Sequence, residues 1–369
     1  MIVNRYLPMI PLWWPPSVTA QGDVKLAAHA VEFAMPWPLR GNPHVFAARD
    51  SAIRWMTEFG LLRDDRSIED FADWRLAEVG GFFFPDADAR QCALAAQMMG
   101  WSFLPFDDQL DGPLGRDPLR VARVCTALIG IVHGEARGDA TDSPTVRAFA
   151  DLWGRMVQGA SVTLLRRLRH HWAAYFSSQV TEAIDRVDGF RYADLDDYFR
   201  LRVASTCAFG RNDLGELWGG TEVPAVLWHH PLLEQMRHLA ADLVALRNDS
   251  MSTTHEDVSG LHNAIFIIER ERACDRERAV AVASRLAQAK VDRLIALEHH
   301  SVPRLLRRLD GAGQQAVLGY ADILHHWIRG DYEWERLSGR HKQHRVLPEW
   351  ATTLLAGTHG RAAGAGGSM

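Results

Sequence analysis

Three features of the sequence predict an all-α protein. Apolar residues recur at three- and four-residue steps along much of the chain, strand signals are scarce, and two oxygen-rich clusters each end an apolar helical face. From about Pro8 to Pro43 the chain is rich in Pro and Trp (Trp13, Trp14, Trp37) and reads as an irregular arm. Beyond it, Cys92, Ala96, Met99, Phe103 and Asp107 trace one helical face. Leu232, Met236, Leu239, Leu243 and Val244 mark a second helix, and the segment Ala279–Leu297 a third, with Val280, Ala283, Leu286 and Val291 among its apolar positions. No sustained apolar/polar alternation bounded by Asn-Gly or Asp-Gly appears, no internal repeat is present, and no Ser/Gly linker divides the chain. The expected organisation is an arm over residues 1–35, one helical domain over 36–350, and a Gly/Ala-rich, disordered tail over 351–369.

Composition excludes several classes of function. The chain has 369 residues, 47% hydrophobic and 24% charged, enough to bury a large core. Its 41 basic and 46 acidic residues leave a net charge of −5, without the dense basic stripe of a nucleic-acid binder. The clusters Arg166, Arg167, Arg169 and Arg304, Arg307, Arg308 read as solvated helix faces. Cys92, Cys125, Cys207 and Cys274 lie far apart and form no CxxC, which suits a reducing, cytoplasmic compartment. The start is broken by Pro8, Pro11, Pro15 and Pro16 and lacks a signal-peptide core, and no stretch of about 18 apolar residues exists to span a bilayer. The histidine pairs, such as His170-His171 and His325-His326, point about 100° apart on a helix and make poor zinc sets. The 13 tryptophans and 15 phenylalanines serve a core and, in addition, suggest an aromatic-lined pocket.

The first cluster is Phe106-Asp107-Asp108-Gln109-Leu110-Asp111-Gly112. On a helix Asp107 and Asp111 stack about one 5.4 Å pitch apart, with Asp108 beside them. Like charges at that spacing repel, and at a C-terminal helix end they also oppose the macrodipole. Something positive must compensate, and hard carboxylate oxygens suit Mg²⁺. Pro105, two residues earlier, is expected to disturb the helix locally. The second cluster is Arg247-Asn248-Asp249-Ser250-Met251-Ser252-Thr253-Thr254-His255-Glu256-Asp257. Asn248, Ser252 and Glu256 are spaced by four and four, so an amide, a hydroxyl and a carboxylate share one stripe about two turns long.

With these residues the sequence resembles the class I terpene synthases, in particular the bacterial sesquiterpene cyclase type. Asp107-Asp108-Gln109-Leu110-Asp111 is similar to that family's DDxxD motif, and Asn248 through Glu256 to its NDxxSxxxE metal motif. Phe84-Pro85-Asp86-Ala87-Asp88 resembles the lead-in to the aspartate-bearing helix. Arg202 stands at the family's usual distance before the Asn motif and looks like the arginine that senses diphosphate. Trp327-Ile328-Arg329-Gly330 and Leu337-Ser338-Gly339-Arg340 resemble the closing segment, so the likeness runs from about Pro36 to about Pro348. Two positions depart from the pattern: the usual Arg-Tyr pair reads Arg340-His341, and His255 replaces a common Lys or Arg.

The resemblance implies a helical bundle around a central apolar cavity, with three Mg²⁺ ions held by Asp107, Asp108, Asp111, Asn248, Ser252 and Glu256. Asp107, Arg202, Asn248, Ser252 and Glu256 would then ionise a prenyl diphosphate, farnesyl diphosphate being the expected one. The carbocation left behind would cyclise to a hydrocarbon or alcohol. Arg202 and Arg340 would grip the diphosphate, and the N-terminal arm would close the mouth. A carbocation needs dry, aromatic walls. Phe103, one turn before Asp107, is the first candidate, followed by Trp327 and Phe199. The alternatives are a chain-elongating prenyl diphosphate synthase, which would carry a second aspartate-rich motif instead of the Asn/Ser/Glu stripe, and an impaired, diphosphate-binding member of the fold. No nucleic-acid partner and no stable membrane insertion is expected, and the protein would be a monomer or homodimer.

Overall fold

Helix starts are written into the sequence as side-chain caps. Asp64, Asp88, Asp117, Ser143, Ser161, Asp194, Asn263, Asp275 and Asp310 each accept a hydrogen bond from a backbone N–H of the first turn that follows. Asp64 and Asp88 complete reciprocal capping boxes with Ser67 and Gln91. The computed structural model describes residues 30–139, 142–340 and 354, without the side chains of 254–259.

In chain order the helices are α1 (Val45–Glu58), α2 (Asp65–Asp73), α3 (Leu76–Phe83), α4 (Ala89–Trp101), α5 (Asp108–Asp111), α6 (Pro118–His133), α7 (Pro144–Met156) and α8 (Val162–Asp188). They continue as α9 (Leu195–Ser205), α10 (Ala208–Gly219), α11 (Ala225–Trp228), α12 (Pro231–Ser259), α13 (Ala264–Arg272), α14 (Arg276–Ala296), α15 (Val302–Leu306) and α16 (Gly311–Leu337). No β-strand occurs among the described residues, as the periodicity predicts. The bundle is built by α1 and α3 on α4, α6 on α8, and α12 on both α14 and α16. Among the described residues no helix is long and apolar enough to cross a membrane.

Six of the aromatic side chains form one core layer next to the acidic cluster. Trp101 stacks on Phe106 (4.9 Å between centroids), and Phe149, Trp172, Tyr175 and Phe176 close around them. Edge-to-face and offset contacts of this kind hold α4, α7 and α8 in fixed relation. Gly100 of α4 lets α1 and α2 come close: a Cβ there would meet Met56 Sδ and the Phe71 ring at 2.6 Å.

One expectation is corrected. Arg166 is exposed, but Arg167 turns inward from α8, with Nη2 2.7 Å from Glu216 and its guanidinium 4.0 Å from the centre of the Trp228 ring. Two acids on α10, Asp213 and Glu216, are fully enclosed and require a cation, which outweighs the solvated position that spacing alone suggests.

Candidate active site

The first acidic cluster sits where the α4 helix changes its winding. Residues Ser102–Asp107 form a π-helical turn containing Pro105, and α5 follows at Asp108. Proline lacks the N–H for the i−4 bond and crowds that carbonyl, so the wider turn accommodates it. The disturbance expected from the sequence is therefore present, and it aims Asp107 at α8, where Tyr175 Oη donates to Asp107 Oδ1 at 2.9 Å.

Burial pushes the Asp107 carboxyl up to about 6; Arg340 opposes that rise, and the neighbouring Asp111 adds to it. Arg340 lies over these acids. Its Nη2 is 3.8 Å from Asp111 Oδ2, and the guanidinium stands 4.6 Å from the centre of the Phe103 ring and 5.8 Å from that of Trp74. Burial works against its charge, but Asp108, Asp111, Asp107 and Glu335 together outweigh that and hold its proton more firmly than usual. Phe103 in turn packs on Trp334 of α16 at 4.9 Å.

The second cluster lies within the unbroken helix α12, so the four-residue register of Asn248, Ser252 and Glu256 is real in the backbone. The Glu256 and His255 side chains, and all of His341, lie outside the described residues. Asn248 is held from two sides: Oδ1 accepts from Arg202 Nη2 (3.1 Å), and Nδ2 donates to Glu335 Oε1 (2.7 Å). Ser252 Oγ donates to the Asn248 carbonyl at 2.9 Å and keeps its lone pairs.

Arg202 is anchored by Asp249, whose Oδ1 lies 2.6 Å from Arg202 Nη2. The other carboxylate oxygen accepts from Tyr198 Oη and the Ala264 N–H, both at 2.8 Å. Just beyond Arg202, α9 stops at Ser205 and α10 begins at Ala208. Between them Cys207 adopts a left-handed φ of 51°, a strained conformation for a side-chain-bearing residue. Arg211 Nη1 donates to the Thr206 carbonyl there.

The structure brings Asp107, Asp108, Asp111, Arg340 and Phe103 into one group, and Asn248, Ser252 and Arg202 into another. Glu335 links them, touching Asn248 directly and acting electrostatically on Arg340. Glu182, raised by burial, feels both Arg202 and Asp111 from α8. Trp327 is buried on α16 with its ring edge-on to Phe83 (6.5 Å), one turn before Asp331. The Phe199 ring lies 5.1 Å from Lys290 Nζ of α14 and 6.1 Å from the ring of Tyr198.

Sequence reasoning missed Tyr175, Asp249, Glu182 and Glu335. Asp249 was within the quoted motif, and the structure shows it fully buried. The others carry no local signal.

The donor chemistry suits a hard divalent cation. Carboxylate oxygens of Asp107 and Asp111, the Asn248 amide oxygen and the Ser252 hydroxyl are donors of the kind such an ion takes. Among the described residues no group of three or more His, Cys, Asp or Glu side chains is placed to hold a metal ion by itself.

Comparison with known proteins agrees with this geometry. Residues 97–293 match the model of terpene synthase family 2, C-terminal metal binding. Pristinol synthase of Streptomyces pristinaespiralis is 33% identical over 334 residues, 89% of this chain and 88% of that protein. The (−)-β-caryophyllene synthase of Saccharothrix espanaensis, described as (2E,6E)-farnesyl diphosphate cyclizing, is 33% identical over 84% of this chain and 88% of its own. The solved structure of germacradien-4-ol synthase from Streptomyces citricolor superimposes with a TM-score of 0.73 at 35% identity, covering 83% of this chain and 98% of that one. The family match over more than half of the chain, together with relatives a third identical over most of their length and a shared fold, identifies the chain as a member of the metal-binding bacterial class I terpene synthases.

Proposed function

We propose that this enzyme ionises farnesyl diphosphate with three Mg²⁺ ions and cyclises the resulting carbocation to a sesquiterpene hydrocarbon or alcohol, releasing diphosphate in the cytoplasm. The observation that carries the reading is the pair of arginines, Arg340 beside Asp111 and Arg202 beside Asn248, with Glu335 between the two groups. The C15 substrate rests on the farnesyl diphosphate-cyclising relative described above.

Asp107, Asp108 and Asp111 on one side, and Asn248, Ser252 and Glu256 on the other, would hold the ions, which supply positive charge to the departing diphosphate oxygens. Arg202 and Arg340 present fork-shaped donors to the same phosphates. Asp249 keeps the Arg202 fork oriented before substrate arrives, so little reorganisation is needed as charge separates. Tyr175 holds Asp107 in its ligand orientation. The Phe103 ring lies against Arg340, where its face meets positive charge and its bulk excludes water.

The test is direct: purified protein with Mg²⁺ is given C10, C15 and C20 prenyl diphosphates, and extracts are analysed by gas chromatography with mass spectrometry. A cyclic C15 product from farnesyl diphosphate is expected. A longer diphosphate after addition of isopentenyl diphosphate, or no turnover of any of the three, would overturn the reading.

A further inference from the structure

The segment before α1 is not merely a lead-in. Val31 is fully buried, and its N–H donates to Ser250 Oγ of α12 at 2.9 Å. The Glu32 N–H donates to Ser284 Oγ (3.2 Å) and the Ala34 N–H to Gln288 Oε1 (2.8 Å), both on α14. Glu32 also reaches α16, where Tyr332 Oη donates to its Oε2. Phe33 meets the Tyr332 ring edge-on at 5.2 Å, and Trp37 stacks on His325 at 4.8 Å. A short extended stretch thus ties together three helices that lie more than 200 residues away in sequence.

At the centre of this tie is Arg247, the residue before Asn248 on α12. It is 1% exposed, donates through Nη1 to the Val31 carbonyl and to Glu32 Oε1 (2.9 Å), and lies 4.6 Å from the centre of the Tyr332 ring. A buried guanidinium is costly unless it is paired. One turn along α16 from Tyr332, Glu335 accepts the hydrogen bond from Asn248 across the same α12–α16 contact. Asp331, the residue before Tyr332, is buried and already within the electrostatic reach of Arg247. Without Glu32, the unbalanced charge of Arg247 on α12 would draw on Asp331 of α16, which in turn interacts with Glu335, the partner of Asn248.

We infer that Glu32 is a positioning residue for the metal-binding stripe: by pairing with Arg247 and Tyr332 it fixes α12 against α16 and so sets Asn248 and Ser252 for their ligand. This rests on the proposed metal role of Asn248 and Ser252.

The experiment compares full-length Glu32→Ala, Tyr332→Phe and Asn248→Ala with wild type. Two readouts are taken: the Mg²⁺ concentration for half-maximal turnover separately from kcat, and Mn²⁺ binding by electron paramagnetic resonance with inorganic diphosphate present. Supporting partners of metal ligands commonly shift affinity about 10- to 100-fold, so Glu32→Ala is expected to raise both metal midpoints by about 10-fold, with a smaller change in kcat. Tyr332→Phe removes one hydroxyl and should shift them in the same direction by less; it carries the test if Glu32→Ala fails to fold. Wild-type midpoints in Tyr332→Phe and in any folded Glu32→Ala, alongside a raised midpoint in Asn248→Ala, would overturn the role of Glu32 and leave the metal reading standing. Wild-type midpoints in Asn248→Ala would instead overturn the metal reading itself.

Discussion

Replacing Asp249 with Asn tests how the site holds its arginine before any ligand binds. The carboxylate is fully enclosed and serves three donors: Arg202 Nη2 at Oδ1, and Tyr198 Oη with the Ala264 N–H at Oδ2. An amide of the same shape keeps one oxygen. If that oxygen stays with Tyr198 and Ala264, the new NH2 faces the guanidinium, donor against donor, and the ionic partner is lost. Removing one member of a buried ion pair costs about 3–5 kcal/mol. The Arg202 side chain is 14% exposed and retains Asn248 Oδ1 and Ser205 Oγ, which places the cost near the lower figure, about 3 kcal/mol. At roughly 2 °C per kcal/mol for a chain of this size, the calorimetric Tm should fall by about 6 °C. Steady-state kinetics should show kcat/KM lower by at least about 10-fold, because the diphosphate then meets a misdirected fork. A Tm within about 1 °C of wild type together with unchanged kcat/KM would refute the idea that Asp249 orients Arg202.

Three further outcomes follow from the same geometry. Burial raises the Asp107 carboxyl to about 6, so the stability it contributes to the metal-free protein is full below about pH 4 and is lost as the pH rises through about 6. Divalent cation binding needs the ionised form; the Tm increase produced by Mg²⁺ should therefore be larger at pH 7.5 than at pH 5.5, where roughly three-quarters of the group is protonated, as differential scanning fluorimetry can read. Tyr175→Phe removes the hydroxyl that donates to Asp107; turnover against pH should show the acidic limb displaced upward, and an unmoved limb would separate this hydroxyl from the site. Gly100→Ala places a methyl 2.6 Å from Met56 Sδ and the Phe71 ring, and overpacking of that kind should cost about 1–3 kcal/mol in urea unfolding.

Helical register was legible before any coordinates. Asn248 and Ser252 share a stripe because α12 runs unbroken through them, and a four-residue step is a local geometric fact. The effect of Pro105 was equally local, since a missing N–H disturbs its own turn wherever the helix sits. The position of Arg167 was not legible. Its spacing resembles that of its exposed neighbour Arg166, and only Asp213 and Glu216, approaching from α10, explain why it is enclosed.

By itself the sequence determined the all-helical class and the two rows of oxygen donors, because each is a matter of periodicity and chemical type along a short stretch, whereas Arg202 and Arg340 were singled out by the family resemblance. Tertiary structure alone decided that Tyr175 steadies Asp107, that Glu335 stands between Asn248 and Arg340, and that a glutamate near the start of the described chain balances Arg247. Those pairings join residues from about 70 to more than 200 positions apart, and their choice depends on how whole helices seat against one another, which no local pattern encodes.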